Sequence, residues 1–540
     1  MSTFDNIYTA VAEASSGFAK PQGLIYGYGT AGFRLKANLL ASVVFRVGLL
    51  AAVRSKKLNG QTIGVMITAS HNPEEDNGVK LVDPQGEMLE GSWEAYATLL
   101  ANAQTDTELV EALKKVVATT KTDMGIKANV IFAKDTRSSG PSLVAALQAG
   151  LTAMSSEYKD YEILTTPQLH YLVRCINTAG TPAEYGAPTE LGYYEKLGKA
   201  FRTLMDGKTR PSAVFVDCAN GVGAPKLRNL RRIVGEDILD VRIINDDIET
   251  PSKLNSQCGA DFVKTNQKLP PGSHIAPQDR CASLDGDADR VVYYYLDQDS
   301  TFHLLDGDKI ASLAAMFIQD LVKSAGLEEE IKVGVVQTAY ANGASTVYLQ
   351  KVLGVPVTCT PTGVKHLHHA AQRYDVGVYF EANGHGTVLF SPTSLSIIEA
   401  AKPQSPAQHT ALQSLRALSD LINQTVGDAL SDLLMVEAIL AHKGWGPKEW
   451  DGAYTDLPNR LVRVVVKDRH AFTTTDAERR LVSPAGIQDR VDALVAKYKG
   501  GRAFVRASGT EDAVRVYAEA GTRSEADELA CKVAGLLSDY

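Results

Sequence analysis

The sequence predicts an α/β protein: three related mixed-sheet α/β domains followed by a smaller C-terminal α+β domain. Three observations carry this. Apolar strand-like runs end in polar turns and give way to helix-like segments, and the plan recurs along the chain. At 540 residues the chain is too long for one core, and about 150 residues per domain suggests about four domains. The last stretch, roughly 90 residues, changes to paired strands closed by a helix.

Taken in order, "LLASVVFRVGLLAAV" is the most apolar segment, but Arg46 and Gly48 interrupt it, which favours a buried helix over a membrane span. The run Thr62 to Ile67 reads as a buried strand that stops at "TASHNP", where three acids then crowd the turn. "ANVIFAKDTR" is a strand entering a polar turn before the helix-like "GPSLVAALQAGLTAM". "SAVFVDCANGVGAPKLRNLRRIVG" repeats the plan, with Gly221 and Gly223 at the strand-to-helix turn, and "IKVGVVQTAYANGASTVYLQKVLG" repeats it again. "YDVGVYFEANGHG" ends a further strand in a Gly-rich turn. Residues 403–443 read as helical, and "HKGWGPKEWDGAYTDLPNR" marks a boundary. Beyond it come the strand "RLVRVVVKD", the helix "IQDRVDALVAKY", the pair "RAFVRAS" and "AVRVYAEA", and a closing helix. The expected domains are 1–185, 186–300, 301–445 and 446–540. Ligands of such folds gather beyond strand C-termini, where all the polar clusters fall.

Composition narrows the function. Hydrophobic content of 44% and charged content of 22% are those of an ordinary globular protein. A net charge of −8, with signs mixed along the chain, argues against nucleic acid or an acidic membrane as the main partner and leaves a small anionic substrate open. A monomer is expected. The six cysteines (Cys175, Cys218, Cys258, Cys281, Cys359, Cys531) are scattered without a Cys-x-x-Cys, as in a reducing compartment. The N-terminal residues carry acids and no apolar signal core, so a cytoplasmic location is expected.

Four clusters carry chemistry. Ser70, at what reads as an exposed strand end, is either a turn residue or a nucleophile. In "SLDGDADR", Asp285, Asp287 and Asp289 follow an apolar strand; three carboxylates so close repel unless a hard divalent cation sits among them. An EF-hand is excluded, because Arg290 and Leu296 stand where Gly and Glu are needed. Mg²⁺ completes its shell with water and phosphate oxygen, which a phosphorylated Ser70 would supply. In "FVRASGTEDAVRVYAEA", Val514, Val516 and Ala518 share one strand face, so Arg515 takes the other; with Arg506 and the Ser508-Gly509-Thr510 turn it suits a phosphate dianion. In "FEANGHG", Glu381, Asn383 and His385 can take paired bonds from vicinal hydroxyls, as a sugar ring asks. Each cluster has a plain alternative: a solvated acidic turn, a hairpin with surface arginines, an Asn-Gly turn. "TPTGVKH" adds Lys365, and "YGTAGFR" and "KDTRSSG" each add an arginine beside turn glycines and hydroxyls. Together these form a kit for moving a phosphoryl group on a sugar phosphate.

These motifs, from Gly29 to Arg515 and in this order, resemble the α-D-phosphohexomutase superfamily. "TASHNP" is similar to its phosphoserine loop, "DGDADR" to its metal loop, "EANGHG" to its sugar-specificity loop and "RASGTED" to its phosphate-binding loop. Within it, the chain is most similar to the eukaryotic branch acting on N-acetylglucosamine phosphates; "LNSQCGADFVKTNQKLP" and "VQTAYANGAST" share in that likeness. The resemblance implies four domains around one central cleft. It implies interconversion of N-acetylglucosamine 6- and 1-phosphates, on the route to UDP-N-acetylglucosamine, through phosphoserine and a glucosamine-type 1,6-bisphosphate intermediate. It implies Mg²⁺ held by Ser70, Asp285, Asp287 and Asp289. The sugar phosphate would meet Glu381, Ala382, Asn383 and His385, with Arg506, Ala507, Ser508, Gly509, Thr510 and Arg515 at its phosphate. Ser70, His71, Arg34 and Lys365 are the catalytic candidates, the last three competing for acid and base. Two other readings compete: a phosphatase using Asp285 as nucleophile, which leaves the sugar and phosphate loops unexplained, and a binding protein without turnover.

Overall fold

The computed structural model describes residues 5–508, 512–537 and 540. The chain forms two compact units, residues 1–304 with 420–442, and residues 305–419 with 443–540.

The first unit holds two five-stranded sheets. One comprises β1 (Phe33–Lys36), β2 (Ile63–Ile67), β3 (Asp76–Val82), β4 (Asn129–Lys134) and β5 (Glu157–Ile163) in the order β1-β3-β2-β4-β5. The other comprises β6 (Val214–Asp217), β7 (Val241–Ile244), β8 (Arg280–Leu284), β9 (Val291–Leu296) and β10 (Phe302–Leu305) in the order β10-β9-β8-β6-β7. The second unit holds β11 (Val333–Thr338), β12 (Val357–Thr360), β13 (Val376–Phe380) and β14 (Gly386–Phe390), ordered β12-β11-β13-β14. It also holds the C-terminal sheet β15-β19-β18, built from β15 (Asn459–Val465), β18 (Arg502–Ala507) and β19 (Ala513–Glu519). A hairpin of β16 (Thr473–Thr475) and β17 (Arg480–Ser483) completes it.

The three larger sheets share one plan. Each runs parallel, parallel, then antiparallel: β5-β4-β2-β3, β7-β6-β8-β9 and β12-β11-β13-β14. In the first the antiparallel pair precedes the parallel crossover in sequence; in the other two it follows. The "TASHNP", "DGDADR" and "EANGHG" segments are the connections β2–β3, β8–β9 and β13–β14, the same position in each plan. The expected three related domains are thus visible as topology where sequence identity is not. The strands before these connections, IGVMI and VGVYF, are buried at every residue, because helices cover both faces of such sheets.

The helix Ala41–Lys57, which takes up the "LLASVVFRVGLLAAV" segment from Ala41 onward, is buried along most of its length. Arg46 is accommodated by donating to the carbonyls of Ser42 and Ala103, both at 3.0 Å. No helix among the described residues is long and apolar enough to cross a membrane. The helix Ala429–Lys443 falls within the range expected for the third domain, yet residues 420–442 pack in the first unit. There Glu437 pairs with Arg280 of β8 at 2.8 Å, both buried. In the C-terminal sheet Val514, Val516 and Ala518 sit in the apolar core, as the alternation requires.

Candidate active site

In the first unit the β2–β3 connection leaves β2 through Thr68, whose hydroxyl donates to Asp135 Oδ2 at 2.6 Å and accepts from Ser70 N at 3.0 Å. The strand-end reading expects Ser70 to be exposed; it is instead buried, 2% accessible, and takes a left-handed φ of +52°. For a non-glycine residue that conformation costs about 1 kcal/mol or more and persists only where the surroundings fix it. They do. The Ser70 carbonyl accepts from Asn255 Nδ2 at 2.8 Å and from Arg137 at 3.3 Å, and both side chains also reach the Asn72 carbonyl. Arg137 is itself paired with Asp135. This gives the arginine of "KDTRSSG" and the asparagine of "LNSQCGAD" a job: they clamp the serine loop.

Held this way, Ser70 Oγ donates to Asp285 Oδ2 at 2.6 Å. The other oxygen of Asp285 accepts from the backbone N–H groups of Asp289 and Arg290 at 3.1 and 3.2 Å. The two loops approach closely because of Gly286, where a Cβ would lie 2.5 Å from the Ser70 carbonyl oxygen. Asp287 accepts from Thr166 Oγ1 at 2.6 Å, and its other oxygen is buried without a hydrogen-bond partner among the described residues. Ligand oxygens of Asp285, Asp287 and Asp289 lie within 4.8 Å of one another. Burial raises the carboxyl pKa values of Asp285 and Asp287, and their acidic neighbours raise them further. An all-oxygen set, buried, mutually repelling and with a buried oxygen left unpartnered among the described residues, fits a hard divalent cation, which would reverse that repulsion.

Sequence reasoning missed the residues that hold this loop. Lys80 of β3 stands 3.8 Å from Asp289 and 4.0 Å from Asp287. Thr166 N and Ala429 N donate to the carbonyls of Asp287 and Ala288 at 3.3 and 3.1 Å, so two helix N-termini grip the loop backbone. The Ala429 helix is in turn fixed by Asp428, which takes its Leu430 and Ser431 N–H groups and accepts from Tyr193 and Asn423 at 2.8 and 2.9 Å. Only the spacing of Asp428 before an apolar run, a capping signal, could have pointed there.

Arg34 and His71 come together with this group. Arg34 donates to Asn72 Oδ1 at 3.3 Å, and burial followed by the Arg290 charge lowers its pKa. Burial, then Arg290 and Arg34, depress the His71 imidazole to about 3, so it is neutral at physiological pH and a feeble proton acceptor.

The second unit carries the remaining predicted residues. The β13–β14 connection, Glu381 to His385, is a tight turn in which Glu381 N donates to the His385 carbonyl at 2.9 Å. Asn383 folds back to accept from His385 N at 2.9 Å, so part of its polar capacity shapes the loop. Glu381, Ala382 and Asn383 are half-buried and His385 is buried. Gly307 packs against the loop so tightly that a Cβ would lie 1.8 Å from the Glu381 carbonyl oxygen. Lys365 is half-buried in the helix Val364–Ala371, after Gly363 with φ +130°.

On the C-terminal sheet Arg506 of β18 lies directly opposite Arg515 of β19, which lies opposite Arg463 of β15. Opposite residues project to the same face, so the register makes a row of three guanidinium groups, one more than the motif announced. Ala507 is half-buried at the end of β18, and Ser508 N donates to the Ala513 carbonyl at 2.8 Å. Gly509 and Thr510 lie outside the described residues.

Three sheets of one topology, presenting a serine loop, a carboxylate loop and a hairpin loop at equivalent connections, with a small arginine-bearing sheet after them, define the phosphohexomutase class. Family profiles agree: that of phosphoglucomutase/phosphomannomutase alpha/beta/alpha domain I matches residues 48–98 and 98–186, and that of its C-terminal domain residues 461–536. The profiles of phosphoacetylglucosamine mutase AMG1 domains II and III match residues 186–292 and 306–445. Human phosphoacetylglucosamine mutase is 52% identical over 529 residues, 97% of this chain and 96% of that one. The crystal structure of Aspergillus fumigatus N-acetylphosphoglucosamine mutase in complex with GlcNAc-6P and magnesium is 60% identical, with a TM-score of 0.96 over 99% of each chain. A variant of that fungal enzyme in complex with glucose 1,6-bisphosphate superposes with a TM-score of 0.95 at 60% identity, over 99% of each chain. The chain belongs to the phosphoacetylglucosamine mutase family.

Proposed function

We propose that the chain interconverts N-acetylglucosamine 6-phosphate and N-acetylglucosamine 1-phosphate, for UDP-N-acetylglucosamine synthesis, with phosphorylated Ser70 as the covalent carrier. The observation that carries this is the 2.6 Å bond from Ser70 Oγ to Asp285 in a buried pocket, a nucleophile set directly against an all-oxygen cation site. Family membership supplies the substrate class, and the magnesium, sugar-phosphate and bisphosphate complexes of the fungal relative support Mg²⁺ and a 1,6-bisphosphate here. Asp285, Asp287, Asp289 and a phosphoserine oxygen would hold Mg²⁺, which when bound neutralises charge on the transferring phosphoryl group.

In the forward direction the sugar O1 attacks phosphorus. The Ser70 Oγ–P bond breaks, the O1–P bond forms, and the O1 proton leaves to a base. The 1,6-bisphosphate then reorients and the O6–P bond breaks as the Ser70 ester re-forms, with O6 taking up a proton. Lys365, His71 and Arg34 are the proposed proton-handling or positioning groups; the depressed imidazole favours positioning for His71. Glu381, Ala382, Asn383 and His385 would read the sugar ring. Arg506, Ala507, Ser508, Gly509, Thr510 and Arg515 would take whichever phosphate is not being transferred, which suits long side chains over a fixed socket.

The reading divides the chain at 1–185, 186–300, 301–445 and 446–540, a division that the profile matches support. It includes a monomer working in the cytoplasm on a small sugar phosphate, with neither nucleic acid nor membrane as partner. Incubation with labelled sugar 1,6-bisphosphate tests it: label on Ser70 is expected, label on Asp285 would mean a phosphatase, and none a binder. N-acetylglucosamine phosphate is expected to exceed glucose phosphate in kcat/KM by more than about tenfold, or about 1.4 kcal/mol.

A further inference from the structure

The β16–β17 hairpin is absent from the sequence reading and carries an unusual turn. Asp476, Ala477 and Glu478 are consecutive non-glycine residues with φ of +52°, +53° and +68°. Left-handed backbone is strained for residues with a Cβ, and such strain persists where surrounding contacts over-determine it. Glu478 makes those contacts. One carboxylate oxygen, Oε2, accepts from Thr362 N at 3.0 Å and Thr362 Oγ1 at 2.6 Å. The other, Oε1, lies 3.3 Å from Nε of Arg506, with the Glu478 side chain 17% exposed. One acid thus spans from the arginine row to the "TPTG" turn that leads into the helix bearing Lys365.

We propose that Glu478 is a positioning residue for the phosphate cradle: anchored on Thr362, it orients Arg506. Charge supports this. Three guanidinium groups in register repel, and one carboxylate beside the end member offsets part of that cost. Geometry supports it too: the acid lies at the Nε edge of the guanidinium as an ion pair without a hydrogen bond, so it draws the group by charge and spends none of the donors that a bidentate phosphate contact needs. Tyr340, from the otherwise unused "QTAYANG" motif, lies beneath the same guanidinium, its ring centroid 6.0 Å away, and packs edge-on against Phe504 and Tyr517.

The inference rests on the assignment of Arg506 to substrate phosphate, and four full-length proteins test it: wild type, Glu478→Ala, Arg506→Ala and the double variant. Glu478→Ala is expected to raise KM for the sugar phosphate, and the inhibition constant of inorganic phosphate, about tenfold with kcat within about twofold. Glu478→Gln, whose amide oxygen still accepts from Thr362, is expected to recover part of that loss. In the Arg506→Ala background, removing Glu478 is expected to change nothing further, because its effect passes through that arginine. Unchanged constants in Glu478→Ala, or a full additional effect without Arg506, would overturn the proposal. Should Glu478→Ala fail to fold, Glu478→Gln is compared in both backgrounds with the same criteria. If wild type turns over no sugar phosphate, the functional reading fails, while calorimetric phosphate binding across the same proteins still decides the role of Glu478.

Discussion

The serine–carboxylate pocket and the arginine row are both read as phosphate sites, yet they are built in opposite ways. In the pocket Ser70 is 2% accessible and Asp285 and Asp287 are fully buried, and each is fixed by short hydrogen bonds or by backbone N–H groups. In the row Arg506 and Arg515 are half-buried and Arg463 is exposed, all on long side chains. A step that makes and breaks P–O bonds gains from donors that need no reorganisation, and burial strengthens every charge there. A cradle that must accept either end of a bisphosphate gains from adaptable donors. On the proposed function, rigidity is placed where bonds would change, and adaptability where the substrate would turn.

The largest test of this contrast is Ser70→Ala, expected to lose nearly all mutase turnover while folding normally by circular dichroism. Because the site holds φ +52°, Ser70→Gly is expected to be equally inactive but about 1 kcal/mol more stable than Ser70→Ala in denaturant titration. Wild-type activity lacking any phosphate on Ser70 by mass spectrometry would break the comparison outright. Asp287→Ala comes next, expected to lower kcat by about a hundredfold or more, since metal stabilisation of transferring charge is worth several kcal/mol. Its Mg²⁺ binding, followed calorimetrically, is expected to weaken in step; full turnover after exhaustive chelation would remove the triad from the chemistry.

Arg515→Ala samples the adaptable region and is expected to cost roughly ten- to a hundredfold in kcat/KM, mainly through KM, as for one lost charge-assisted contact of about 1.5–3 kcal/mol. A pure kcat effect would place Arg515 with the rigid machinery and erase the distinction. Smaller still is Asp428→Ala, which frees the helix that grips Ala288: a roughly tenfold weaker Mg²⁺ affinity is expected, with intact folding checked by melting.

The smallest effect concerns stability alone. Asp432, one turn further along that helix, is fully buried with neither carboxylate oxygen hydrogen-bonded among the described residues. Burial and then Asp428 raise its pKa well above the usual carboxylate range. The folded state therefore holds this proton more tightly than the unfolded chain, so the stability it confers is complete below the unfolded pKa and is lost as pH rises towards the folded value. Asp432→Leu is expected to raise the melting temperature, by more at pH 8 than at pH 5, with Mg²⁺ affinity unchanged. A gain independent of pH would mean packing rather than ionisation.

Much of this was written in the chain. Apolar runs broken by polar turns announced the α/β class, since alternation and turn chemistry are local properties. Ser70, the aspartate triad, Glu381 to His385 and Arg506 with Arg515 announced themselves because each cluster is contiguous or nearly so. Partners joined through space left no such mark. Asn255 and Arg137 reach the Ser70 loop from segments far along the chain, and the helix at Ala429 returns to the first unit after the whole third sheet. Arg463 looked like any alternating strand residue until register set it opposite Arg515. The hairpin bearing Glu478 left little mark because Ala477 and Glu478 follow Asp476 in left-handed conformations that neither alanine nor glutamate favours locally. The burial of Ser70 was likewise beyond the sequence. Local chemistry named the candidate reacting groups, whereas their pKa values, their strain and their supports come from long-range packing, which only the folded chain expresses.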